Sequence, residues 1–181
     1  MINLFISKII GILEHILPPR LSIKFIQIKI GQNNFIASKF WSSEPYLIEI
    51  GSNCQITSGV KILTHGGANI VRHIEPNFDV FGKVTIGNYV YIGTNSLIMP
   101  GVTIADHVLI AAGSVVTKSI PANCVVGGNP AKYICSLTEY FERNKSFDFK
   151  SKNISPKNKR KLLLNSSDKH FLKKKFISIN L

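Results

Sequence analysis

The sequence predicts an all-β solenoid, a parallel β-helix of six-residue repeats with a projecting loop and flanking helices at both ends. Three observations carry this reading. From residue 84 the chain divides into the hexads VTIGNY, VYIGTN, SLIMPG, VTIADH, VLIAAG and SVVTKS. Their third position is Ile86, Ile92, Ile98, Ile104, Ile110 and Val116; their first is Val84, Val90, Ser96, Val102, Val108 and Ser114. The same phase holds upstream at Ile50, Ile56 and Ile62, and it survives the 24 residues from Ile62 to Ile86, a multiple of six. A period of six matches neither a helix nor one long strand. It matches a coil with flat sides of about six residues, each side a short strand whose aliphatic third position points inward.

Taken in order, residues 1–27 form an N-terminal cap. Ile2, Phe5, Ile6, Ile9, Leu13, Ile16 and Leu17 fall at helical spacing, and Pro18-Pro19 ends the run. An open solenoid end needs such a cover. Residues 28–130 form the repeat domain, with Ile28, Ile30 and Ile36 as a weaker beginning. Gly, Asn and Asp after each aliphatic pair permit tight corners. Residues 66–83 break the pattern and form a projecting loop, the kind of insertion that builds a binding face in repeat proteins. Residues 131–181 form a C-terminal helix and a basic tail. Within them AKYICSLTEYFERN reads as a short helix, residues 145–160 as a loop, and residues 159–176 as a second, basic amphipathic helix.

Hydrophobic residues make up 45% of the 181, enough for a packed core, which excludes wholesale disorder. The formal charge of +12 is concentrated at one end: residues 139–181 hold 12 Lys/Arg against 4 Asp/Glu. That tail mixes Phe147, Phe149, Phe171 and Phe176 with Leu162, Leu163 and Leu164 and has no recognition motif, so it is expected to lean on other copies of the chain or on an anionic inner-membrane surface and not on nucleic acid. Cys54, Cys124 and Cys135 are odd in number and lack CxxC spacing, which argues against disulfides and structural zinc and for a reducing cytoplasm. The N-terminal apolar run is interrupted by Lys8, Glu14 and His15 and reads as neither a signal peptide nor a membrane span.

The hexads, the segment LTHGG at 63–67, and the ending AAGSVVTKSIPANCVVGGNPAK at 111–132 resemble the left-handed β-helix acyltransferases, over about residues 45–135. The similarity is strongest to galactoside, maltose and xenobiotic acetyltransferases and to O-acetyltransferases of capsule and lipopolysaccharide clusters. The resemblance implies left-handed crossovers, an exception to the usual rule. It also implies a homotrimer with clefts between neighbouring coils, acetyl-CoA as co-substrate, and no metal. The implied activity is acetyl transfer to a sugar hydroxyl of a surface glycan or its precursor. One His would act as general base, with direct attack on the thioester.

His suits that role because its pKa lies near neutrality. Of His15, His65, His73, His107 and His170, the resemblance points to His65, at the junction of the last regular hexad and the loop, with His73 behind it. His107 reads as a solvated corner residue. An orienting carboxylate is expected on general grounds, with Asp79, Glu75 and Glu49 as candidates. Asn53, His73 and Asp79 are the candidate acceptor contacts. For acetyl-CoA the resemblance marks Tyr91 and Thr94 near the pantetheine and thioester, and Ala112 where a small residue lets the pantetheine lie against the coil. It marks Thr117, Lys118 and Lys132 near the phosphates, where cations pair with anionic oxygens. Rival readings are N-acetylation of a nucleotide-linked amino sugar, O-acetylation of an antibiotic, and a non-catalytic hexapeptide scaffold.

Overall fold

The computed structural model describes residues 28–178; the expected helix over 1–27 lies outside the described residues. Twelve two- or three-residue strands run in order. They are β1 (Lys29–Ile30), β2 (Phe35–Ile36), β3 (Phe40–Trp41), β4 (Ile48–Ile50), β5 (Gln55–Ile56), β6 (Lys61–Ile62), β7 (Val84–Ile86), β8 (Tyr91–Ile92), β9 (Leu97–Ile98), β10 (Thr103–Ile104), β11 (Leu109–Ile110) and β12 (Val115–Val116). Two longer strands follow, β13 (Cys124–Gly127) and β14 (Lys132–Ser136). The chain visits three sheets in turn: β1-β4-β7-β10 in sheet 1, β2-β5-β8-β11-β13-β14 in sheet 2, and β3-β6-β9-β12 in sheet 3. Every pairing is parallel except β13 with β14.

One pass through the three sheets is one coil, and from β7 to β12 the register repeats at 18 residues, three hexads, before shortening to 16 between β11 and β13. Ile86 pairs with Ile104, Ile92 with Ile110, and Ile98 with Val116. The earlier coils are less regular. Ile30 pairs with Ile50 and Ile36 with Ile56, 20 apart, but Trp41 pairs with Ile62, 21 apart. The next offset is 36, from Ile50 to Ile86, because the loop adds a second coil's length.

The inward positions expected from the hexads are the buried ones. Ile56, Ile62, Ile92, Ile98, Ile104 and Ile110 have no exposed surface. Full burial of each aliphatic side chain is worth about 1.5–3 kcal/mol, so this stack is the main source of cohesion. The two serines in first position are buried as well and hydrogen-bonded, as buried hydroxyls must be. Ser96 Oγ donates to the carbonyls of Gly93 and Ala111, and Ser114 Oγ to that of Ala111.

Corners between sheets 1 and 2 carry one left-handed residue per coil: Asn33, Asn53, Tyr89, His107 and Asn123. Asn adopts this conformation more readily than most residues. His107 sits at such a corner, stacked on the Tyr89 ring at 5.0 Å. At the corner between sheets 2 and 3, Gly93 is required by close approach: a Cβ there would run into the backbone of Ala112 in the next coil.

Two readings of the C-terminal region need correction. Residues 132–136, expected as the start of a helix, form β14, which pairs antiparallel with β13 and gives that strand a second neighbour. The helix, α1, begins only at Leu137 and runs to Asn144. The second helix, expected over 159–176, is α2, Pro156–Leu164. It starts early because Ser155 Oγ accepts the Asn158 N–H and Pro156 stands in its first turn. It stops at Asn165, where a second polar run begins. Contact density divides the chain into two compact units, one ending at Leu137 and the other starting at Thr138.

Candidate active site

β6 delivers Leu63, Thr64 and His65 to the corner where the chain leaves the coil. Gly66 and Gly67 follow, and Gly67 takes a left-handed φ of 77° that starts the departure. The chain returns at Phe81 and Gly82. The loop is closed at its neck: His65 and Phe81 form an antiparallel bridge, and the Gly82 N–H donates to the Thr64 carbonyl at 2.7 Å. Beyond the neck the loop is tied to itself. Arg72 Nε donates to the Phe78 carbonyl, and its guanidinium lies 3.6 Å from Asp79.

At the neck, His65 Nδ1 stands 2.6 Å from Glu44 Oε2. The same carboxylate oxygen accepts a hydrogen bond from Thr64 Oγ1 at 2.9 Å, and Thr64 is fully buried. Ser42 Oγ is a more distant neighbour of Nδ1, at 3.3 Å. The Phe81 ring lies against the imidazole, with centroids 5.7 Å apart. Partial burial pushes the Glu44 carboxyl up, but hydrogen bonds from Thr64, Ser43 and His65, with the charge of the imidazole, outweigh it and hold the carboxyl below its ordinary value. In the neutral ring, an ionised carboxylate at Nδ1 assigns the proton to that nitrogen and leaves Nε2 as the acceptor. The His65 side chain is 38% exposed, and no described residue hydrogen-bonds Nε2. The arrangement is a carboxylate–imidazole pair with its basic nitrogen unclaimed, suited to taking a proton from a bound hydroxyl or amine.

None of the three carboxylates expected beside His65 is engaged there. Glu49 pairs with Lys29 at 2.7 Å, Asp79 with Arg72, and Glu75 accepts the Asn77 N–H. Glu44 was missed because the hexad phase slips by one before it. The stacked residues Ile36 and Trp41 are five apart, not six, so the register becomes 21 and places Glu44 opposite His65. Pairing Trp41 with Ile62 in the sequence would have found it.

Of the expected acceptor contacts, His73 and Asp79 lie in the loop. His73 is exposed, its Nδ1 2.9 Å from the Ile70 carbonyl. Asn53 is not at the site: it is a left-handed corner residue between sheets 1 and 2, with β5 and β6 between it and His65. The positions marked for a coenzyme fall into separate places. Thr94 and Ala112 are neighbours on the corner between sheets 2 and 3, where Thr94 Oγ1 also meets Thr57 Oγ1. Tyr91 leads into that corner from the outer row of sheet 2. Thr117 and Lys118 follow β12 on the corner column of Thr64 and His65, two coils on. Lys118 lines a cavity of about 210 Å³ with Ser119, Ala131 and Tyr133. Lys132 opens β14, opposite Gly127. The two corner columns stand about six residues apart along the chain, at opposite ends of the sheet 3 strands. Among the described residues, no three His, Cys, Asp or Glu side chains are grouped to hold a metal ion.

Residues 83–118 match the family model described as bacterial transferase hexapeptide (six repeats). The chain is 50% identical over 101 residues to Protein CapG of Staphylococcus aureus, covering 55% of this chain and 59% of that one. It is 34% identical over 123 residues to the putative acetyltransferase YvoF of Bacillus subtilis (strain 168), covering 67% of each. A solved structure, galactoside acetyltransferase in complex with coenzyme A, superposes with a TM-score of 0.56 at 26% identity, over 84% of this chain and 87% of that one. The chain therefore belongs to the hexapeptide-repeat acetyltransferase family. It spans less than two thirds of the length of CapG.

Proposed function

We propose that this chain is an acetyl-CoA-dependent O-acetyltransferase acting on a sugar hydroxyl of a surface glycan or its precursor, built as a left-handed β-helix. The His65–Glu44 pair at the neck of the loop is the observation that carries this reading. In the reaction, His65 Nε2 accepts the proton of the acceptor hydroxyl as its oxygen attacks the acetyl carbonyl carbon. Glu44 holds the ring in the correct tautomer and offsets the positive charge the ring acquires. The C–S bond then breaks, and the imidazolium returns the proton to the leaving thiolate. Such proton transfer contributes typically 10²–10⁴-fold to rate.

The residues present suit coenzyme A. Ala112 is small and its backbone is closely approached at Gly93, so a slender pantetheine can lie along that corner. Lys118 and Lys132 are exposed and form no ion pair among the described residues, leaving them available to phosphates. The separation of the two corner columns favours a site completed by a neighbouring copy in a homotrimer. The outer rows of the sheets support self-association. Sheet 1 presents Lys29, Glu49, Thr85 and Thr103, whereas sheet 2 presents Phe35, Tyr91 and Leu109 beside Gln55, and sheet 3 presents Leu97 and Val115 beside Lys61. All three cysteines are free thiols, consistent with a cytoplasmic site of action; contact of the basic tail with the inner membrane belongs to the same reading.

The test is release of free thiol from acetyl-CoA by the purified chain, with and without sugar acceptors, followed by mapping of the acetylated position. Acceptor-dependent release that gives an acetyl ester supports the reading. An amide product would move the function to amino-sugar N-acetylation, and an absence of both coenzyme binding and turnover would leave a scaffold.

A further inference from the structure

The unit beginning at Thr138 has an unusual surface. None of its described residues, 138–178, is buried. Several of its large apolar side chains are instead exposed: Phe141, Leu164 and Leu172 face solvent, Phe176 is 100% exposed and Ile177 91%, whereas Phe147, Phe149, Leu163 and Phe171 are half-buried. The charge is one-sided, with 12 Lys/Arg against 4 Asp/Glu. The order of residues repeats. Lys159-Arg160-Lys161 precedes Leu162-Leu163-Leu164 at the end of α2, and Lys173-Lys174-Lys175 precedes Phe176-Ile177 beyond it. Contacts inside the unit, such as the Phe149 and Phe171 rings 5.1 Å apart, leave Leu164, Phe176 and Ile177 uncovered.

We infer that this unit docks on an anionic lipid bilayer, with the two cationic triplets among the headgroups and the apolar residues after each entering the acyl boundary. A cation cluster beside exposed apolar side chains matches the two components of that interface: anionic headgroups attract Lys and Arg, and the layer below accepts Leu, Phe and Ile. A second copy of the unit is a poorer partner, because it carries the same net positive charge. Nucleic acid would satisfy the lysines but gives fully exposed Phe176 and Ile177 nothing apolar to enter. Docking is peripheral, since among the described residues no helix is long and apolar enough to cross a membrane. The inference specifies the tail contact proposed with the acetyl-transfer reading, and its test is separate because vesicle binding does not require acetyl transfer.

The experiment is co-sedimentation of the full chain with vesicles of phosphatidylcholine alone or mixed with phosphatidylglycerol, with a short DNA duplex as competitor. Binding is expected only to the mixed vesicles and should weaken as salt rises. The variant K173Q/K174Q/K175Q should bind about a hundredfold more weakly. The variant F176S/I177S, altered only where the side chains face solvent, should bind at least about tenfold more weakly with unchanged thermal unfolding. Equal binding to neutral vesicles, no binding to either, or preference for the duplex would overturn the proposal. So would unaltered vesicle binding by F176S/I177S, or a concentration-dependent self-association that this variant abolishes.

Discussion

The coils from β7 to β12 and the coils before them solve the same packing problem with different regularity, and the difference separates stability from chemistry. In the later coils every stacked pair is 18 residues apart, and no side chain on their corners forms an acid–base pair. In the earlier coils the offsets are 20, 20 and 21, and then a loop adds a coil's length. The slip to 21 sets Glu44 across from His65, and the loop gives that corner a neck. Regularity gives a continuous aliphatic core, whereas the departures from it bring unlike residues together.

The largest expected effect tests the irregular half. His65→Ala should lower kcat/KM for acetyl transfer by about 10²–10⁴-fold while leaving the melting temperature nearly unchanged, because the ring is partly exposed and leaves no core cavity. Thiol-release kinetics and thermal unfolding measured on the same preparation check this. Unimpaired transfer would remove His65 as the base.

The converse experiment belongs to the regular half. Ile98 is fully buried between Ile62 and Val116 in sheet 3. Ile98→Ala should cost about 2–5 kcal/mol in denaturant unfolding through lost burial and a residual cavity. The fraction that remains folded should keep its specific activity. A selective loss of turnover without loss of stability would mean that the regular coils also shape the chemistry.

These two halves also differed in how far the sequence could be read. Ile86 to Val116 were legible because an inward aliphatic at constant spacing is a property of the sequence itself. Glu44 was not, because its meaning depends on a register that slips where Ile36 is followed by Trp41. His65 was found through resemblance at the loop junction, while Thr64, whose hydroxyl anchors the carboxylate, looked like any corner threonine. β14 was misread because Tyr133, Ile134 and Cys135 suit a helix and a strand alike, and only the free edge of β13 decides between them. α2 starts before the charged and apolar run that marks it in the sequence because Ser155 caps it and Pro156 opens its first turn.

Glu44→Gln should reduce kcat by about 10²-fold with KM little changed, since the amide no longer imposes the Nδ1–H tautomer. Its effect on stability should depend on pH. The Glu44 carboxyl is held below its ordinary value, so its ionised form stabilises the fold fully above the unfolded-state value of about 4.3 and loses that contribution as pH falls through the depressed folded value. The gap in melting temperature between wild type and Glu44→Gln should therefore be open at neutral pH and close in strong acid. A gap of constant size would assign the effect to packing and not to charge.

The smallest expected effect compares Glu44 with Asp79, one of the three carboxylates that the sequence offered for His65. Asp79 faces Arg72 at 3.6 Å, with both side chains more than two-fifths exposed. An exposed pair of this kind is worth about 0–1 kcal/mol. Asp79→Asn should thus change thermal stability by less than about 1 kcal/mol and kcat by less than about threefold. KM for the acceptor is the parameter that should respond, since Asp79 lies in the loop beyond the neck and has no contact with the imidazole. If Asp79→Asn lowered kcat as much as Glu44→Gln, the loop would have to bring Asp79 to His65 during turnover, and the one-residue register slip would lose its claim to have built the dyad.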